Sequence, residues 1–148
     1  MEEKSVIKFS KSESSSNGKE IKLTFSKKEK LKSKKLIEQL FAEGKSCSSF
    51  PIKLIYLRIN FSLETPLQVG VTVSKRNFKS AVKRNRIKRL LREAYRCNKP
   101  LIFNNIEGEF ALMFLYLGKE MPNYAVVEEK VVNVIEKFKN SISHEKNS

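Results

Sequence analysis

The sequence predicts a small single-domain α/β sandwich with the element order helix, strands, helix, strand, helix. One segment alternates apolar with polar or small residues at the two-residue period of a strand, and two others are short, largely apolar runs. Three other segments repeat apolar residues at the spacing of an amphipathic helix. The chain has 148 residues, of which 40% are hydrophobic. This length and composition suit one domain with an ordinary core.

The first predicted helix follows Ser33, a residue type that often caps helix N-termini, and it ends before Gly44. Apolar residues spaced three or four positions apart lie on one face of a helix. Here that stripe consists of Leu36, Ile37, Leu40 and Phe41.

Three strands are predicted, over residues 50–59, 67–74 and 109–117. Side chains alternate across a strand, so each strand has two faces. In the first strand one face carries Ile52, Leu54, Tyr56 and Arg58, and the other carries Lys53, Ile55 and Leu57. The third strand is nearly all apolar, which indicates a central strand that is buried on both faces.

Two further helices are predicted, over residues 80–96 and 124–140. The first of them has an apolar stripe with basic residues around the rest of its circumference. The stripe consists of Ile87, Leu90, Leu91 and Ala94. The last helix turns inward the apolar residues Val127, Val131, Val134, Ile135 and Phe138.

The two ends of the chain differ from this central part. Residues 1–22 are rich in Ser, Lys and Glu, a composition that buries too little apolar surface to fold. Residues 141–148 are similarly polar. The expected organisation is a disordered basic and serine-rich extension over 1–22, an α/β domain over 23–140 and a polar tail over 141–148.

The charge of the chain indicates a polyanionic partner. The formal net charge is +14, and six of the seven arginines fall within residues 76–96. Residues 75–96 contain ten basic residues and one acid, Glu93. Like charges at helical spacing repel, and a polyanion relieves that repulsion. Arginine in particular holds a phosphate bidentately. Nucleic acid is therefore the leading partner, with a basic helix as its binding surface.

The residues that are missing argue against catalysis by protein side chains. All 16 acidic residues are glutamate, and His144 is the only histidine. Protein nucleases usually need clustered carboxylates for metal ions or histidines for acid–base work. We therefore expect no catalytic and no metal-binding residue. No apolar run approaches a membrane span, and Cys47 and Cys97 lack metal-ligand spacing, so a cytoplasmic protein with reduced cysteines is expected.

The segments 73–76 (Val-Ser-Lys-Arg) and 81–96 (Ala-Val-Lys-Arg-Asn-Arg-Ile-Lys-Arg-Leu-Leu-Arg-Glu-Ala-Tyr-Arg) resemble the signature of the bacterial ribonuclease P protein family. A weaker resemblance extends from about residue 31 to the final helix. The resemblance implies an α/β domain that binds RNA and reaches its basic helix through a left-handed βαβ crossover. That hand departs from the usual rule. It also implies a catalytic RNA subunit that uses Mg²⁺ and removes the 5′ leader of precursor tRNA.

The resemblance further implies two RNA surfaces on the protein. The basic helix and the residues before it face the catalytic RNA: Lys75, Arg76, Lys83, Arg84, Asn85, Arg86, Lys88, Arg89 and Arg92. A cleft between the first helix and the sheet receives the leader, with Phe41, Lys53, Tyr56 and Arg58 as candidate contacts. Phe50 and Phe78 are further aromatic candidates. Two alternatives stay open on residues alone: Phe41 as a core residue, and Asn85 as a local capping residue.

Three other functions compete with this interpretation. A ribosome-associated or RNA-chaperone protein has the same composition, and only the arginine–asparagine–arginine signature argues against it. A DNA-binding regulator normally pairs its recognition helix with another helix, whereas this helix follows a strand. Attachment to a membrane surface requires interfacial aromatic residues, and Tyr95 alone lies beside the apolar stripe. No DNA and no membrane partner is expected.

Overall fold

The computed structural model describes residues 29–59, 67–103 and 108–147. The extension predicted over residues 1–22 lies outside the described residues. The helices are α1 (Lys34–Glu43), α2 (Ala81–Cys97), α3 (Lys99–Phe103) and α4 (Tyr124–Asn147). The strands are β1 (Lys45–Ser49), β2 (Ile52–Ile59), β3 (Leu67–Val73) and β4 (Glu109–Tyr116). The predicted α/β class and element order are confirmed, with β1 and α3 as additions.

The four strands form one sheet in the order β1-β2-β4-β3. β2 pairs antiparallel with both β1 and β4, whereas β3 pairs parallel with β4. The prediction that the apolar strand is central is confirmed. Because α2 lies between β3 and β4 in the chain, these elements form a βαβ unit. The hand of that unit stays a prediction.

The two faces of the sheet are covered by different helices. On one face, β2 side chains such as Leu54 pack in a large core with Ile87 of α2 and Val131 of α4. On the other face, Ile55 packs in a smaller cluster with Leu40 of α1. Successive β2 residues therefore enter different cores, as strand alternation requires.

Serine caps begin two of the helices. The Ser33 hydroxyl accepts a hydrogen bond from the Leu36 N–H (3.2 Å), and α1 ends at Gly44 as predicted. The Ser80 hydroxyl accepts one from the Lys83 N–H (3.3 Å) at the start of α2. Each cap pairs an N–H group that the helix itself leaves unsatisfied.

The last helix is longer than the sequence predicts. α4 runs to Asn147 rather than ending near Asn140, so the predicted polar tail over 141–148 is helical up to residue 147. Ile142 lies four residues after Phe138 and is only 6% exposed. It extends the apolar stripe by one turn, and its burial outweighs the polar composition around it.

A buried ion pair joins the segment before α1 to the first residue of α3. Lys99 Nζ lies 2.7 Å from Glu29 Oε2, and both side chains are almost fully buried. Next to this pair, the Leu31 N–H donates to the Val69 carbonyl (3.0 Å) at the outer edge of β3. Burial raises the pKa of the Tyr95 hydroxyl, and the neighbouring Glu29 carboxylate raises it further. The segment before α1 is thus fastened to β3 and to the end of α2.

Candidate RNA-binding site

The basic helix α2 is divided between a core face and a charged face. Its buried residues are Ile87, Leu91, Ala94 and Tyr95. Opposite them, Asn85, Arg89 and Arg92 are exposed and follow the i, i+4, i+7 spacing of one helix face. Packing on the sheet therefore fixes which way these side chains point.

The remaining basic residues of α2 lie around this charged face. Lys83 and Arg86 are exposed, whereas Arg84 and Lys88 are half-buried. Arg96 is engaged within the protein, because its guanidinium is paired with Glu93 through both Nε (3.2 Å) and Nη2. That pairing raises the pKa of Arg96.

Asn85 is not a capping residue. Ser80 is the N-cap of α2, and Asn85 is the fifth residue of the helix with an exposed side chain. The alternative that it caps the helix locally is therefore wrong. Asn85 lies between the exposed Lys83 and Arg89, and an RNA contact by its side chain stays a prediction.

Lys75 and Arg76 are exposed on the loop between β3 and α2. Arg84 connects this loop to the helix, since its Nη1 donates to the carbonyls of Phe78 (2.7 Å) and Lys79 (3.0 Å). RNA contact by Arg84 stays a prediction, and the structure adds a role for it within the protein. Asn77 also holds the loop, through two hydrogen bonds, and no sequence signal pointed to it. We use the term basic face for the exposed residues Lys75, Arg76, Lys83, Asn85, Arg86, Arg89 and Arg92.

The structure contradicts the placement of Tyr56 in a cleft beside α1. Tyr56 is 4% exposed, and its ring packs edge-on against Phe138 of α4, with ring centroids 4.8 Å apart. Arg58 lies on the same face of β2, and its guanidinium carbon is 4.7 Å from the centroid of the Phe110 ring. Both side chains point to the side of the sheet opposite α1. The physical reason is strand alternation, which puts Lys53 and Tyr56 on opposite faces.

The α1 side of the sheet keeps the other two candidates. Phe41 is 50% exposed, so the alternative that it fills the core is wrong. It lies one helical turn after the partly buried Ile37. Lys53 shares a strand face with Ile55, which packs against α1. We use the term α1-side surface for the partly or largely exposed residues Ile37, Phe41, Lys53, Leu57 and Leu115.

The two further aromatic candidates differ in exposure. Phe50 is 71% exposed in the turn between β1 and β2. Phe78 is buried, with its ring centroid 6.1 Å from that of Tyr116. Phe50 is therefore available to a ligand, whereas Phe78 belongs to the core.

The family resemblance assigns the magnesium ions to the RNA subunit. In the part of the chain that the structure describes, no three His, Cys, Asp or Glu residues are grouped to hold a metal ion. No helix among residues 29–59, 67–103 and 108–147 is long and apolar enough to cross a membrane.

Comparisons with known proteins agree with this architecture. The model of the family described as Ribonuclease P matches residues 25–139. A ribonuclease P protein component of Porphyromonas gingivalis is 35% identical over 106 residues, covering 70% of this chain and 77% of the relative. One of Chlorobium phaeobacteroides is 33% identical over 118 residues, covering 71% and 81%.

Solved structures share the fold. The RNase P protein of Staphylococcus aureus superposes with a TM-score of 0.62 at 18% identity, covering 75% of this chain and 95% of that one. The RNase P protein of Thermotoga maritima gives 0.60 at 24% identity, covering 74% and 96%. At these identities the likeness concerns the fold alone.

Proposed function

The chain belongs to the ribonuclease P protein family, and we propose that it binds two RNAs on two separate surfaces. As a component of ribonuclease P it is a tRNA-processing protein that works in a ribonucleoprotein. In our proposal the catalytic RNA binds the basic face, and the 5′ leader of precursor tRNA binds the α1-side surface.

The observation that carries this proposal is the exposed array of cations on α2. The buried face of the helix is apolar, so packing holds the opposite face toward the surrounding solution. Arg86, Arg89 and Arg92 are all exposed there, and the one acid of the helix, Glu93, is paired with Arg96. A surface with many cations, whose one neighbouring acid is already paired, favours a phosphate backbone. Contacts with about six phosphates correspond to a log–log salt slope near 5.

The protein assists cleavage without supplying catalytic side chains. The chain has no aspartate, and its single histidine is His144. In our proposal the RNA subunit carries out hydrolysis of the phosphodiester bond and holds the Mg²⁺ ions that this chemistry uses. The protein contributes binding and orientation of the two RNAs. We place this activity in the cytoplasm, where precursor tRNA is processed.

The α1-side surface suits a single strand better than a duplex. Phe41 offers a half-exposed ring, and stacking a base on an aromatic ring contributes about 1–3 kcal/mol without demanding a particular base. Lys53 adds a cation on the same side of the sheet. Phe50, at the turn that precedes β2, offers a second exposed ring. Ile37, Leu57 and Leu115 add partly buried apolar side chains on this side of the sheet.

The test is reconstitution of the ribonucleoprotein. The purified protein is added to its cognate ribonuclease P RNA at low Mg²⁺ concentration, and cleavage of a precursor tRNA with a 5′ leader is followed. We expect accurate cleavage at the mature 5′ end only when both components are present. Binding of RNA without any change in cleavage would overturn the proposal and favour an RNA chaperone.

A further inference from the structure

The loop that carries Lys75 and Arg76 is internally fixed. Ser74 begins it and makes two hydrogen bonds back to the loop. Its hydroxyl accepts from the Arg76 N–H (3.1 Å), and its carbonyl accepts from the Phe78 N–H (3.1 Å). Phe78 then turns its ring into the core. The two exposed cations therefore stand on a tight turn with a buried anchor.

Asn77 ties this turn to the end of the central strand. Its Nδ2 donates to the carbonyls of Leu117 (3.2 Å) and Gly118 (3.3 Å), which lie 40 and 41 residues further along the chain. The Leu117 N–H in turn donates to the Pro51 carbonyl (2.7 Å), just before β2. The turn is thus connected, through the residues that follow β4, to the residue that precedes β2. Arg84 holds its other side by donating to the Phe78 and Lys79 carbonyls.

We propose that Asn77 is a positioning residue for RNA binding, which acts by holding Lys75 and Arg76 in a binding-competent arrangement. The inference rests on the proposed function of the basic face. Asn77 carries no charge, so it adds nothing to counterion release by itself. Asn77 instead lowers the entropic cost of binding, because cations that are already held in place lose less conformational freedom when they meet phosphates.

Asn77 is a better test of this idea than Arg84. Removing Arg84 deletes a charge as well as two hydrogen bonds, so a loss of RNA affinity has two explanations. Asn77→Ala keeps the net charge unchanged. A matched control is Asn133→Ala, which removes another part-buried amide that joins two elements, α4 and Ser49 of β1, away from the loop.

The experiment is a double-mutant cycle on binding to the ribonuclease P RNA, measured at several salt concentrations. We expect Asn77→Ala to lower the affinity about fivefold, the equivalent of one hydrogen bond. We also expect a smaller salt slope at unchanged protein charge. In a Lys75→Ala/Arg76→Ala background, Asn77→Ala then has no further effect, because the cations it positions are gone. Asn133→Ala leaves affinity and slope unchanged.

The outcomes distinguish a failure of the positioning role from a failure of the basic face. An equal loss from Asn77→Ala in both backgrounds, or no loss at all, overturns the positioning role and leaves the basic face intact. If Lys75→Ala/Arg76→Ala itself binds like the wild type, the assignment of this loop to the RNA is wrong, and the role of Asn77 falls with it. If Asn77→Ala is unfolded, Asn77→Ser replaces it, since serine retains a shorter donor, and the same cycle decides.

Discussion

The basic face and the α1-side surface both depend on a helix packed on the sheet, but only the basic face adds a loop that side chains fasten to the main chain. Apolar packing orients α2, and the Asn77 amide and the Arg84 guanidinium hold the loop before it by hydrogen bonds to carbonyls. The α1-side surface rests on apolar packing, in which Leu36 and Leu40 are buried and Phe41 stays half-exposed. The first surface therefore presents fixed charges, and the second presents an aromatic ring beside a small core. The contrast suits a structured RNA on one surface and a single strand on the other.

The largest effect is expected at Tyr56, which lies in the large core on the side of the sheet opposite α1. Tyr56→Ala removes a buried ring that packs on Phe110 and Phe138, and we expect it to lower the free energy of unfolding by about 3–5 kcal/mol. Chemical denaturation measures this. Tyr56→Phe keeps the ring, so we expect this variant to bind precursor tRNA in preference to mature tRNA as strongly as the wild type does. A lost preference in that variant would return Tyr56 to the leader surface.

The next effect concerns the basic face. Replacing Arg86, Arg89 and Arg92 together by Ala removes three exposed charges, and we expect the affinity for the catalytic RNA to fall about a hundredfold near 0.1 M salt. The salt slope falls by about 2.7. Filter binding at several salt concentrations gives both quantities, and the unfolding transition stays nearly unchanged.

The matched control removes three lysines from α4, by Lys130→Gln, Lys137→Gln and Lys139→Gln. The net charge changes equally, so a comparable loss of affinity would show that the total charge matters and the basic face does not. The rate of precursor tRNA cleavage, measured with each triple variant at a subsaturating protein concentration, adds a functional readout.

Phe41 tests the α1-side surface with an intermediate effect. Phe41→Ala is expected to weaken binding of precursor tRNA about tenfold, within the range of one stacked base, and to leave mature tRNA unaffected. Gln39→Ala, at another exposed position of α1, serves as the control. Equal losses for both tRNAs would instead indicate a general defect in the ribonucleoprotein.

The smallest effect concerns Cys47, which reports the side of the sheet that Tyr56 occupies. Burial raises the pKa of the Cys47 thiol to about 11, and its Sγ donates to the Val134 carbonyl (3.5 Å). The raised pKa keeps the thiol protonated through pH 9, so alkylation at pH 8 is expected to be roughly a hundredfold slower than for a free cysteine. The rate rises toward pH 11. Mass spectrometry of the Cys47 peptide follows it, and free-thiol reactivity at pH 8 would contradict the assigned face.

The helices and the central strand were predictable because their signals are local. Ser33 and Ser80 precede apolar stripes with helical spacing, and the apolar run of β4 indicates burial on both faces. β1 was missed because it is an edge strand of sequence Lys-Ser-Cys-Ser-Ser, in which Cys47 alone packs against the core. The end of α4 was missed because one residue, Ile142, decides it.

The site was only partly predictable for a similar reason. The arginine pattern of α2 pointed to the basic face, since charge and helical spacing are both visible in the sequence. The prediction for Tyr56 was wrong because it rested on the family resemblance. The alternation of side chains along β2 already puts Tyr56 and Lys53 on opposite faces of the sheet, so both cannot line one cleft. The role of Asn77 depends on carbonyls 40 residues away, and no local pattern encodes such a contact.

The Glu29–Lys99 pair sets a boundary for shortened versions of this protein. A deletion that includes Glu29 would remove the carboxylate of this buried ion pair, and breaking a buried pair by removing one partner costs about 3–5 kcal/mol. Since Lys99 lies two residues after the end of the basic helix, the change is expected to disturb that helix and the basic face that it carries. A deletion series aimed at the N-terminal extension therefore measures the extension only if Glu29 is kept.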